Sequence, residues 1–340
     1  MTETKTGLQP EPQNTQSRSA EVLAVTDLKV HYGVRDGFRK KLLKAVNGID
    51  LSIRAGECLG LVGESGCGKS TFASAIMGLV PITSGSVCVA GQDVPTAVKN
   101  NPLAQARNVQ MVFQDPFASL NPRRSVREAL AAPLRLHGMK DRAEIEANVI
   151  DMLAKVGMKP ETADRKPHEF SGGQRQRICI ARALIVKPKL LVCDEPVSAL
   201  DVSIRAQIIN LLLELKDELG IALLMISHDL GVVEHMSDRI AVMYLGRIVE
   251  EGIWSDIFTN PLHPYTQALI ASIPDPLNPA KRQRRMQGEA PSPLNPPSGC
   301  AFHPRCPSAF DMCRTGDIPA FTHLREQASH RARCHLLEQS

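Results

Sequence analysis

Residues 63–71 read GESGCGKST, directly after the apolar run CLGLV at 58–62. A short buried strand running into Gly-x-x-x-x-Gly-Lys-Ser leaves the chain few choices. The glycines let backbone N–H groups turn inward around an anion, and a helix must follow so that its positive end faces the same anion. The segment after Lys69, STFASAIMGLV, has the apolar spacing of that helix. The stretch predicts the strand, loop and helix of an α/β fold, with Gly63, Glu64, Ser65, Gly66, Cys67, Gly68, Lys69, Ser70 and Thr71 as a phosphate cradle. Lys69 is expected to reach the β- and γ-phosphates and Ser70 to hold Mg²⁺. Cys67 is expected to serve through its backbone and small size, without redox chemistry.

The run KLLVCDEP at 189–196 supplies a second half. An apolar strand that ends in adjacent carboxylates is costly unless they face a metal or a reacting water. Asp194 is placed to hold Mg²⁺ and Glu195 to act as general base. Around these motifs the α/β texture continues, with strands at 221–226 and in RIAVMYLGRIVEEG and a helix at 201–218. Residues 124–158 read as helical, broken at HGMKDR and ended by Gly157 and Pro160. A second glycine pair stands in FSGGQRQR at 170–177, where Ser171, Gly172 and Gly173 open a helix and make another anion-binding end.

In this order and spacing, GESGCGKST, FQDP, FSGGQRQR, VCDEPVSALD and ISHDL resemble the motifs of the ATP-binding cassette (ABC) ATPases over residues 21–255. The resemblance implies ATP as ligand and gives each matching position a role. Gln114 is the Q-loop glutamine, reaching Mg²⁺ and the attacking water. Ser198 and Asp201 belong to the D-loop, His228 is the switch histidine on the γ-phosphate, and Tyr32 stacks on adenine. Ser171, Gly172, Gly173 and Gln174 form the signature that, in this family, meets the ATP of a partner subunit in a head-to-tail dimer. FSGGQRQR would thus serve another subunit's active site. Phe170, where a leucine is usual, precedes the phosphate-facing residues.

The remaining sequence bears on what the ATPase drives. No stretch approaches the roughly 18 apolar residues of a membrane span, the first 20 residues lack a signal-peptide core, and the net charge is only +4. A cytoplasmic chain docked on a membrane through partners is expected, with no nucleic acid. Residues 1–20 read as a disordered polar tail, 21–255 as the cassette with a helical subdomain at about 115–185, and 256–340 as a small irregular extension. NPLHPYTQALIASIP and GEAPSPLNPPSGCAFHPRCP in that extension resemble the C-terminal region of oligopeptide and dipeptide importer ATPases. This implies a second, homologous ATPase in a heterodimer, two transmembrane permeases and an extracytoplasmic binding protein. Related importers carry nickel chelates or oligosaccharides, so those solutes are alternatives.

Cys300, Cys306, Cys313 and Cys334, spaced C-x5-C-x6-C-x20-C, point to a metal in a reduced compartment. Four cysteines satisfy tetrahedral Zn²⁺ or [4Fe–4S], and the resemblance implies the cluster. His335 is the nearest substitute ligand by sequence. The basic run KRQRR at 281–285 suits acidic lipid headgroups or plain solvation. The soluble ABC ATPases of DNA repair and translation form a competing class. Repair types insert long coiled coils between the two glycine motifs, and translation types usually pair two cassettes in one chain; neither feature is present here.

Overall fold

The computed structural model describes residues 21–36, 39–273, 288–324 and 327–338. The expected polar tail and the basic run at 281–285 lie outside the described residues.

Two sheets are formed among the described residues. The smaller is antiparallel, formed by β1 (Glu21–Asp36), β2 (Arg39–Arg54), β4 (Ser84–Val89) and β5 (Gln92–Asp93) in the order β2-β1-β4-β5. The larger contains β3 (Cys58–Val62), β6 (Val109–Val112), β7 (Leu190–Asp194), β8 (Ala222–Ile226), β9 (Arg239–Tyr244), β10 (Arg247–Ile253), β11 (Thr322–Leu324) and β12 (Gln327–Ala332). Its order is β11-β12-β10-β9-β3-β8-β7-β6, with parallel pairing from β9 through β6.

The inner strands read as unbroken apolar runs because both their faces are covered. Leu190 and Val192 of β7 face a core shared with Phe72 and Ile76, whereas Leu191 and Cys193 face the opposite core with Ile178 and Leu212. The helix Lys69–Ile76 therefore lies between the two sheets, and the helices Val126–Leu136, Arg142–Lys155, Gly172–Leu184 and Val202–Leu219 pack on the far side. The helical pair falls either side of HGMKDR, as its sequence predicts.

Past residue 255 the sequence reads as irregular, yet β12 pairs antiparallel with β10, Glu250 opposite Ala332 and Glu251 opposite Arg331. The physical reason lies in the two glutamates, both buried. Buried carboxylates need partners, and the added strand brings them: His330 Nε2 lies 2.8 Å from Glu250 and Arg331 donates to Glu251 at 2.7 Å. Among the described residues no helix is long and apolar enough to cross a membrane.

Candidate nucleotide site

The site forms where four parallel strands end together. Leu61 of β3 sits opposite Ile226 of β8, Asp194 of β7 also sits opposite Ile226, and Val112 of β6 sits opposite Cys193. The segments leaving these ends carry the phosphate loop, His228, Glu195 and Gln114, so residues remote in sequence meet at one edge. Ligands of open α/β sheets bind at this carboxyl-terminal edge. A cavity of about 590 Å³ opens there, lined by Tyr32, residues 65–71, Gln114, Asp194, Glu195 and His228, with Lys44, Leu245, Gly246 and Pro293 at its walls. Tyr32 is half-buried on β1 opposite Leu43.

Gly68 shows why the loop needs glycine. Its φ is +111°, and a Cβ there would lie 2.2 Å from the Ala45 carbonyl oxygen. It caps the following helix without any side-chain hydrogen bond, so those N–H groups remain for a ligand. Lys69, only 7 % exposed, donates to the carbonyls of Gly63 at 2.7 Å and Glu64 at 3.0 Å. Burial raises the Cys67 thiol, opposed by the charge and hydrogen bonds of Lys69.

Asp194 is half-sunk at the end of β7. Desolvation raises its carboxyl above the usual range, opposed by a hydrogen bond from Ser70 and by the charge of Lys69. A hydroxyl and a carboxylate facing each other are the oxygen donors Mg²⁺ accepts, and the two residues fit that ion.

Glu195 is the hub of the hydrogen bonds at this edge. Gln114 Nε2 donates to its Oε2 at 3.1 Å, and His228 Nδ1 lies 2.9 Å from its Oε1. With the carboxylate ionised, Nδ1 is the donor and Nε2 of His228 is left for a ligand. The backbone of Glu195 is held as well, its N–H donating to Ile226 at 2.9 Å and its carbonyl accepting from Ser198 Oγ at 3.1 Å. Its φ of +50° is unusual for a residue with a side chain, a strain that clusters at functional sites. A carboxylate fixed from both sides and turned to the cavity is suited to polarise a water.

Ser171, Gly172, Gly173 and Gln174 do not line this cavity. They begin the helix Gly172–Leu184, where Ser171 and Gln174 cap each other reciprocally at 3.1 and 3.4 Å. The Ser171 hydroxyl accepts in that bond and keeps its proton to donate elsewhere. A Cβ on Gly173 would come within 2.5 Å of Ile204 Cγ2, so this glycine also lets two helices approach. Asp201 precedes the helix Val202–Leu219 as its N-cap residue, without a side-chain capping bond.

Sequence reasoning missed how the signature helix is tied to Gln114. The Arg175 guanidinium lies 4.0 Å over the ring of Phe117, and Arg182 donates to the carbonyl of Ser119. Both partners follow Gln114 within five residues. No motif marks such a contact.

The four C-terminal cysteines come together around a cavity of about 10 Å³, alongside His303 and His335. Burial pushes the Cys334 thiol up to about 11, and the neighbouring thiols add to the shift. Even so, among the described residues no group of three or more His, Cys, Asp or Glu is arranged to hold a metal ion, so the expected metal-binding extension has no formed ligand sphere. The donor set fits a thiolate-bound metal; the positions do not enclose one. His335 is not an open ligand, because Nδ1 meets Glu338 at 2.9 Å and Nε2 meets the Asp317 carbonyl at 3.0 Å.

Residues 46–198 match the family "ABC transporter", and residues 249–313 match "Oligopeptide/dipeptide transporter, C-terminal region". The oligopeptide transport ATP-binding protein OppF of Escherichia coli is 52 % identical over 301 residues, covering 86 % of this chain and 90 % of that protein. The oligopeptide transport ATP-binding protein AppF of Bacillus subtilis is 48 % identical over 330 residues, covering 95 % and 99 %. A solved structure described as a dimeric, post-hydrolysis state of the ATP-binding cassette MJ0796 with ADP and Pi superposes with a TM-score of 0.60 at 27 % identity, covering 68 % of this chain and 98 % of that one. The chain belongs to the ABC transporter ATP-binding proteins of the oligopeptide/dipeptide type.

Proposed function

We propose that this chain is an ATPase subunit that powers import of di- and oligopeptides across the cytoplasmic membrane, working from its inner face. One observation carries the reading: a single cavity gathers the phosphate loop, Asp194, Glu195, Gln114 and His228, while the signature residues stand apart from it. That arrangement is half of a head-to-tail sandwich. A second, homologous ATPase supplies the other half, and the pair sits on two transmembrane permeases fed by an extracytoplasmic binding protein. The names of the relatives support a peptide cargo. Phe113, Phe117 and Leu136 remain exposed, and the first two flank Gln114, an apolar surface suited to permease helices.

The loop N–H groups and Lys69 bind the phosphates, and Tyr32 stacks on adenine. Ser70, Asp194 and Gln114 would hold Mg²⁺, which would neutralise phosphate charge. Glu195 takes a proton from the water that attacks the γ-phosphorus as the bond to the ADP oxygen breaks. His228, fixed on Glu195, offers Nε2 to the γ-phosphate. Ser198 and Asp201 lie at the dimer seam. Movement at Gln114 passes through Phe117 and Arg175 to the signature helix and to the permease.

Glu195→Gln tests the reading. The variant keeps ATP binding while turnover falls about 10²–10⁴-fold, the usual worth of a general base, and ATP-bound variant purified from detergent-solubilised cells brings two polytopic permeases and a second cassette subunit. Near-normal turnover removes Glu195 from the role of base, and recovery of ribosomes or DNA rejects the importer.

For the C-terminal segment we infer a [4Fe–4S] cluster on Cys300, Cys306, Cys313 and Cys334, whose side chains would have to close in from the positions described above, with Zn²⁺ as the other ion four thiolates accept. The convergence of the four thiols on one cavity supports it. Anaerobically purified protein should contain iron and acid-labile sulfide, both lost in Cys306→Ser. Stoichiometric zinc without sulfide would replace the cluster, and the absence of both metals would reject the site.

A further inference from the structure

The phosphate loop is gripped by a part of the chain that no nucleotide motif includes. Arg305 Nη1 and Nη2 donate to the two carboxylate oxygens of Glu64 at 2.7 and 2.9 Å, a fork-to-fork pair between residues 241 positions apart. The N–H of the same Glu64 donates to the Tyr265 hydroxyl at 2.9 Å. One residue of the loop is thus held by both side chain and backbone.

Both holders are themselves rigidly seated. Arg305 closes the short turn His303–Arg305 between Cys300 and Cys306, and its side chain is 5 % exposed. Phe302, fully buried, packs against the rings of Tyr244 and Tyr265, each with centroids 5.4 Å away. Tyr265 lies in the first turn of the helix Pro264–Ala271, whose N-cap His263 accepts from the Tyr265 N–H at 3.0 Å. The N–H of His263 in turn donates to the buried Glu250 at 2.9 Å.

Electrostatics gives this grip a functional sense. Glu64 puts a carboxylate in the loop that must receive a polyanionic triphosphate, where an unpaired negative charge opposes binding. Its bond to Arg305 cancels that charge and draws it away from the cradle.

We propose that Arg305 and Tyr265 are positioning residues for ATP, neutralising and orienting Glu64 so that the cysteine-bearing segment forms the back wall of the nucleotide site. This rests on the reading of residues 63–71 as the phosphate cradle.

The test is calorimetric binding of Mg-ATP, Mg-ADP and adenosine to the full chain. Arg305→Met should weaken ATP about tenfold by exposing the Glu64 charge, weaken ADP less and leave adenosine unchanged. Adding Glu64→Gln to Arg305→Met should bring ATP affinity back to within about twofold of the parent, the non-additivity expected of a direct pair. A purely structural role for Arg305 would lower all three affinities together and would not be rescued. Should Arg305→Met fail to fold, Tyr265→Phe keeps the ring, removes the acceptor for the Glu64 N–H, and should weaken ATP but not adenosine. Unchanged ATP affinity in a folded variant of either residue, or a double variant as weak as Arg305→Met, overturns the proposal. Lys69→Ala run in parallel separates the two failures: if it too leaves ATP affinity intact, the cradle itself is misassigned.

Discussion

Two helices in this molecule begin at glycine-rich anion-binding motifs, and they are finished differently. At Lys69–Ile76 the cap residue is a glycine with no side-chain bond, and the lysine behind it is buried. At Gly172–Leu184 a serine and a glutamine already cap the end, and the motif stands outside the nucleotide cavity. The first end is left incomplete for a ligand the same chain encloses. The second is stable by itself and presents a hydroxyl outward. The difference supports the reading in which the first motif serves the chain itself and the second a neighbour.

Four substitutions sharpen that contrast, beginning with the largest effect. Lys69→Ala should weaken ATP binding by the isolated chain at least about 100-fold, since it removes a charge-assisted phosphate contact worth roughly 3 kcal/mol; calorimetry reads it directly. Gly68→Ala should cost about 3 kcal/mol of stability, because the new methyl meets the backbone oxygen of Ala45 at a positive φ. Gly173→Ala should cost less, about 1 kcal/mol, because the obstacle is the end of the Ile204 side chain. Urea midpoints of both glycine variants check the order, and equal losses would mean the two motifs are under the same backbone constraint. Ser171→Ala comes last, losing about 1 kcal/mol or less with the N-cap while leaving the chain's own ATP affinity unchanged.

Much of the nucleotide site was legible in sequence because it is built from strand ends. A run such as LLVCDE declares both its burial and the carboxylates at its tip, and register in a parallel sheet then aligns the ends of β3, β6, β7 and β8. Contacts between side chains remote in sequence carry no such signal. Arg305 reads as one basic residue in a proline- and cysteine-rich tail, and Phe117 as one apolar residue after the Q-loop; only the fold sets them on Glu64 and Arg175. Glu250 and Glu251 mislead in the opposite sense. Adjacent glutamates suggest a solvated strand, but they are buried because His330, Arg331 and Arg239 arrive to pair with them. The cysteines fall between these cases: their spacing anticipates a shared cavity, whereas only the fold shows that among the described residues they are not gathered into a metal-holding group.

Ser171→Asp tests the central claim most directly. Aspartate is as good an N-cap as serine, so the helix should keep its stability, while a negative charge now faces whatever phosphate the signature meets. ATP affinity of the isolated chain and turnover of the assembled complex would be measured on the same variant. The account predicts unchanged affinity and a turnover reduced at least about tenfold by charge repulsion. Unchanged turnover, or ATP affinity lost in the isolated chain, would contradict it: the signature would then face no phosphate, or would belong to its own subunit's site.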